Sequence, residues 1–136
     1  MNIGKAIETS AISSRPEKVR VSHELLSALA FLHGNSIIHR DIKPDNIMMT
    51  ASNSPVLIDF SLAKVLSPSE SETLCTHTGN IGTACYISPE CYASEPYSFE
   101  ADSYSAGVVL LELFMGARLG TERDKVSPNA NVCRHS

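Results

Sequence analysis

Eight consecutive residues, His39-Arg40-Asp41-Ile42-Lys43-Pro44-Asp45-Asn46, gather two carboxylates, two cations, an imidazole and an amide. Two short apolar runs follow, Ile47-Met48-Met49 and Val56-Leu57-Ile58, separated by Ala51-Ser52-Asn53-Ser54-Pro55. Apolar runs of this length around a Ser/Asn/Pro cluster predict two short strands joined by a turn, over 47–49 and 56–58. The second strand delivers Asp59-Phe60-Ser61, and Ser88-Pro89-Glu90 comes later. A polar loop followed by a tight strand pair brings Asn46 and Asp59 together. The prediction is that Asp41, Asn46 and Asp59 converge on one cleft.

Helical segments flank this unit. Pro16 stands at or near a first helical position, and Val19, Leu25, Leu26, Leu29 and Leu32 fall near helical spacing. They predict an amphipathic helix over 16–33, stopped by Gly34-Asn35. A second helix is expected from Phe99 to Ala117, formed over about 100–117. It is apolar around most of its girth and so is expected to be buried, with Gly107 allowing close packing. Residues 61–87 are rich in Ser, Thr and Gly without a lasting period, and a loop of that length is uncommon unless functional. The chain divides into a poorly patterned segment 1–15, a folded unit 16–117 and an unpatterned tail 118–136. The fold class is α+β, mainly helical, with one short two-stranded element.

Composition narrows the function classes. Apolar residues make up 43% and charged residues 19%, as in globular domains. A formal charge of −4 argues against non-specific nucleic-acid binding. Cys75, Cys85, Cys91 and Cys133 form no C-x-x-C pair, so neither a zinc site nor a disulfide framework is expected. The longest apolar run, Ala106 to Met115, is interrupted by Glu112 and too short to span a bilayer. No apolar signal core opens the chain. The expected setting is cytoplasmic or nuclear, with no nucleic acid and no membrane among the partners.

The polar residues suit phosphoryl transfer, which needs a carboxylate near the attacking hydroxyl, cations across the phosphates and ligands for those cations. Asp41 fits the first role. Lys43, two residues on, would point to the same side of an extended loop and neutralise the transferred phosphate. Asn46 offers a neutral oxygen and Asp59 a charged one, both suited to Mg²⁺. Arg40 presents a fixed fork of donors that could clamp a phosphate on the segment following Asp59. Acceptors for that phosphate are Thr73, Thr76 and Thr78, ahead of Ser69 and Ser71. The plainer reading of any one of these residues is a turn, a cap or a solvated loop.

The segment from about Val19 to Ala117 resembles the large, C-terminal lobe of a eukaryotic Ser/Thr protein kinase, through the motifs at 39–46, 59–61 and 88–90. The resemblance implies Asp41 as catalytic base, Lys43 on the γ-phosphate, and Asn46 and Asp59 on Mg²⁺. It places Met48 under the adenine of ATP and Thr83 on the catalytic Asp and Lys. It gives His39 and Phe60 structural roles, has Asp102 accept backbone N–H groups of the catalytic loop, and would pair Glu90 with an Arg of a later helix, for which these 136 residues offer no match. Asp45 and Glu112 would face a peptide groove and favour basic residues upstream of the acceptor; the plainer reading is a structural pair for Glu112 and a loop hydrogen bond for Asp45. ATP and a protein substrate are the implied partners. His23, His33, His77 and His135 show no ligand spacing and are taken as incidental.

Two departures matter. Ser61 stands where the family pattern has Gly, which restricts a backbone position that usually tolerates unusual angles. No G-x-G-x-x-G and no strand Lys motif occurs in the 136 residues. The resemblance therefore implies a fragment without the ATP-covering small lobe, inactive alone. The alternative is a non-catalytic, kinase-derived interaction module that binds a partner, or itself, through exposed core.

Overall fold

The computed structural model describes residues 1–70, 73–74 and 85–119. In chain order the elements are α1 (Ile3–Glu8), α2 (Arg15–Gly34), β1 (Ile37–Ile38), a 3₁₀ turn (Pro44–Asn46), β2 (Ile47–Met49), β3 (Pro55–Leu57), β4 (Lys64–Val65), β5 (Thr73–Leu74), α3 (Pro89–Tyr92), β6 (Pro96–Tyr97) and α4 (Glu100–Met115). Three antiparallel pairs form, β2 with β3, β1 with β4 and β5 with β6. The sequence led us to expect one pair. The other two are two-residue strands that carry no period long enough to read.

The central helix α2 starts where a capping box sets it. Ser14 accepts from the backbone N–H of Glu17, and the Glu17 carboxylate reaches back to Ser14. The helix runs through Gly34, and the left-handed residue beyond it is Ser36 (φ 59°) rather than the glycine. Its buried face is Val21, Leu25, Leu29 and Leu32. Val19 and Leu26, expected to be part of that face, are exposed. They lie seven residues apart on a stripe of their own, so spacing alone could not choose between two faces.

The segment 1–15, read as unpatterned, forms α1. Asn2 caps it by accepting from Lys5 N at 2.8 Å. Ile3, Ala6 and Ile7 enter the core beside Ile47 and Met49. The chain start also extends the β2–β3 pair, with a bridge between Asn2 and Met48 and a bond from Met49 N to Met1 O at 2.8 Å.

Helix α4 ends at Gly116, left-handed at φ 70°, a conformation that favours glycine. It buries Ala106, Val109 and Leu113 but leaves Tyr104, Leu111, Phe114 and Met115 exposed, so one face is buried rather than most of the girth. Gly107 is also exposed, with no atom within 4 Å of a Cβ built there, so it does not serve close packing. The main core is shared by α1, α2, β2 and α4. A second core gathers Ile38, Leu66, Cys91, Tyr97 and Ala101, with Ile87 and Phe99 packed against it.

Candidate functional site

The loop after β1 is fixed from below by α4. Asp102, 1% exposed, accepts His39 N on Oδ2 at 2.8 Å and Arg40 N on Oδ1 at 2.9 Å. Arg40 has φ 72°, a left-handed conformation that costs an L residue roughly 1–2 kcal/mol. Two charge-assisted bonds at that corner are of the size needed to hold it. His39 is fully buried. Its Nε2 donates to Ile58 O at 3.0 Å, its Nδ1 accepts Asp41 N at 3.3 Å, and its ring lies 4.8 Å from that of Phe60. The tautomer protonated on Nε2 satisfies both bonds.

This frame presents Asp41 at the surface, its side chain 23% exposed. One oxygen, Oδ2, meets Lys43 Nζ at 3.2 Å and accepts Asn46 Nδ2 at 2.8 Å. Asn46 Nδ2 also donates to the Asp41 carbonyl at 2.8 Å. The Asn46 amide nitrogen is thus committed to Asp41, and its oxygen is the group left for a cation. Pairing of β2 with β3 continues through Ile58 N to Asn46 O at 2.9 Å, which sets Asp59 one residue beyond Asn46's partner.

Asp59 is exposed, with φ 59°. The unusual backbone angle therefore falls on Asp59 and not on Ser61. Ser61 instead serves as a donor, giving its hydroxyl to Asp59 Oδ1 at 2.6 Å and its N–H at 3.2 Å. These bonds, with smaller help from the charge of Lys43, hold the Asp59 carboxyl below the usual carboxylate range.

Asn46 and Asp59 offer oxygen donors of the kind Mg²⁺ takes. Among the described residues no group of three His, Cys, Asp or Glu side chains could hold a metal. A neutral amide oxygen and one carboxylate leave room for the waters and phosphate oxygens that Mg²⁺ keeps in its shell.

The other site residues divide. Met48 is half-buried on β2, opposite Val56. Glu90 is half-buried on α3 and makes no ion pair among the described residues. Thr73 lies in β5, opposite Tyr97, not in an open loop. Thr76, Thr78 and Thr83 lie outside the described residues. Asp45 is exposed and accepts Asn2 Nδ2 at 3.2 Å.

Glu112 does not face a groove. It is fully buried, its Oε1 accepts the Tyr86 hydroxyl at 2.8 Å and Leu119 N at 2.6 Å, and Arg118 covers its Oε2. Arg118, assigned to an unpatterned tail, instead packs back over Gly4 and Pro44. Burial works against its charge, but Tyr86, Glu112 and Asp45 outweigh that and hold its guanidinium above its ordinary value. His33, taken as incidental, lies with Nε2 3.0 Å from Asp102 Oδ2. No local pattern could have signalled that contact, since it joins residues 69 apart.

A family model described as "Protein kinase domain" matches residues 2–135. The chain is similar to a probable serine/threonine-protein kinase PknB of Lactococcus lactis, 34% identical over 117 residues that cover 85% of this chain and 18% of the relative. It is similar to U-box domain-containing protein 51 of Arabidopsis thaliana, 40% identical over 102 residues, 71% of this chain and 13% of the relative. It is also similar to the cAMP-dependent protein kinase catalytic subunit of Schizosaccharomyces pombe, 37% identical over 103 residues, 74% of this chain and 19% of the relative. The chain therefore spans less than a fifth of the length of each of these relatives.

Proposed function

The chain belongs to the protein kinase family, and from that premise we propose that it is the catalytic-loop part of a kinase that transfers the ATP γ-phosphate to protein Ser or Thr hydroxyls. The observation that carries the reading is the Asp41–Lys43–Asn46 cluster on a loop clamped by Asp102. Asp41 would accept a hydrogen bond, then the proton, from the acceptor hydroxyl, a role worth roughly 10²–10⁴-fold. Lys43, already 3.2 Å from Asp41, would neutralise the phosphate brought beside that hydroxyl. Asn46 and Asp59 would hold Mg²⁺, whose contribution when bound is charge neutralisation across the phosphates. The depressed Asp59 carboxyl keeps its charge for that role. Relatives named as serine/threonine kinases support the choice of acceptor. A cytoplasmic or nuclear setting goes with this reading.

These 136 residues hold no glycine-rich loop and no small-lobe lysine. Positioning supplies most of the catalysis in phosphoryl transfer. The chain on its own is expected to transfer no measurable phosphate and to bind ATP–Mg²⁺ more weakly than about 1 mM. The test is a chimera, with residues 1–119 joined to the small lobe and later helices of a complete relative. Transfer to a Ser/Thr peptide should appear and fall at least about 100-fold in Asp41→Asn. A folded chimera without transfer, or with transfer indifferent to Asp41→Asn, would sink the reading.

A further inference from the structure

The turn that follows α4 is built on the residue it covers. Gly116 N and Ala117 N donate to the Glu112 carbonyl at 2.9 and 3.3 Å, and Leu119 N donates to Glu112 Oε1 at 2.6 Å. That turn lays Arg118 across Glu112, its side chain 11% exposed. The guanidinium has Nε 3.4 Å from Glu112 Oε2, Nη2 3.4 Å from the Tyr86 hydroxyl and Nη1 3.8 Å from Glu8 Oε1, with the charge of Asp45 nearby. A Cβ on Gly4 would collide with this guanidinium and lie 3.1 Å from Pro44 Cβ. Together these residues outline a guanidinium slot. Its floor, Glu112, is buried, and its rim, Glu8 and Asp45, is exposed. Pro44 and Asp45 directly follow Lys43, so the slot opens beside the transfer loop. Its occupant fits incompletely, since Glu112 Oε2 and Arg118 Nε are both buried without a hydrogen-bond partner.

We propose that Arg118 is a specificity-determining residue: it fills, from within the chain, a slot that would otherwise take an arginine of the acceptor protein, so acceptor segments need carry none. A buried carboxylate left without a partner is a strong site for a guanidinium, which can meet it with two parallel bonds. Arg118 removes that attraction. The two acids at the rim stand in water, where an ion pair contributes little. An arginine on an incoming segment therefore meets no more than a surface contact here. The outcome is the reverse of the selection for basic residues that Asp45 and Glu112 led us to expect from the sequence. The selection of acceptors rests on the kinase reading above, whereas the occupancy of the slot does not.

The experiment has two arms. The first asks whether the vacated slot takes a free guanidinium. Urea unfolding of the 136-residue chain is followed with added N-ethylguanidinium, and with N-ethylammonium as a cation lacking the planar fork. Arg118→Ala should be stabilised saturably by the guanidinium, with half-saturation at roughly 1–10 mM. The ammonium should do no more than an equal concentration of sodium chloride. The parent chain, and Arg118→Ala combined with Glu112→Gln, should not respond to either. If Arg118→Ala is unfolded on its own, refolding by the guanidinium is the same readout. The second arm uses the chimera described above, with Ser peptides that carry Arg or Ala at each flanking position. The parent chimera should prefer Arg less than about threefold at any position, and Arg118→Ala should gain roughly tenfold or more in kcat/KM for Arg at one of them. A merely structural Arg118 would change transfer to all peptides alike. No response to the guanidinium, a parent that already selects Arg, or a variant that gains no such selection overturns the proposal. A chimera that transfers phosphate to no peptide sinks the kinase reading instead, and the first arm still decides the occupancy of the slot.

Discussion

Glu112 and Arg118 show how one misread side chain reorganises a site. Oε1 of Glu112 is doubly bonded, but Oε2 and Arg118 Nε, 3.4 Å apart, attract without hydrogen-bond alignment. Both are buried, so the pair matters chiefly through what happens when it is broken. Arg118→Ala should destabilise the fold by about 3–5 kcal/mol, because it strands a buried carboxylate. Adding Glu112→Gln should recover much of that loss, and urea denaturation of the two variants measures both. The same burial pushes the Tyr86 hydroxyl well above the ordinary tyrosine range, so it stays a donor to Glu112. The sequence offers a structural pair as the plainer reading of Glu112 but cannot name the partner, since Arg118 lies past the end of the helix. Asp41, Lys43 and Asn46 were legible because they share one short loop, whose local geometry spacing can describe. His33 was not, because its meaning lies in a residue on another helix.

Elements were readable in proportion to their length. The long helices α2 and α4 and the β2–β3 pair lie within two residues of their expected bounds. Helix α1 escaped because six residues give less than two turns of period and its first turn has no acidic residue. On α4, Gly107 sits exposed in mid-helix with open space at its Cβ position. Gly107→Ala should therefore stabilise the chain by about 1 kcal/mol, seen as a higher midpoint in thermal or urea unfolding. The turn after β4 is held by Glu70, which accepts Ser67 N at 3.1 Å, Ser67 Oγ at 3.0 Å and Lys64 Nζ at 3.1 Å. These bonds bring its carboxyl down from 4.5 to about 2. A depressed acid contributes its stability fully above its unfolded value and loses it as pH falls through the folded one. The Glu70 turn should therefore persist at pH 5 and open between roughly pH 4 and pH 2, followed by the Ser67 amide shift.

Taken whole, the molecule leaves Leu111, Phe114 and Met115 of α4 exposed, together with Phe31, Val65 and Tyr92 elsewhere. Contiguous apolar surface beyond a few hundred Å² marks a partner site or a route to aggregation. Size-exclusion chromatography with light scattering on the 136-residue chain should show self-association, reduced by Leu111→Lys with Met115→Glu. A monodisperse parent chain would contradict this. The clamp at Asp102 bears on how the molecule comes to be. His39 and Arg40 carry the loop, but the group that shapes them lies 63 and 62 residues further along. Closing a span of that length is a slow, entropically costly event compared with forming a helix turn. As the chain is synthesised, Asp41, Lys43 and Asn46 emerge long before anything can arrange them. Their geometry is acquired only when α4 docks, so the chemistry of the first half of the chain waits on the folding of the second.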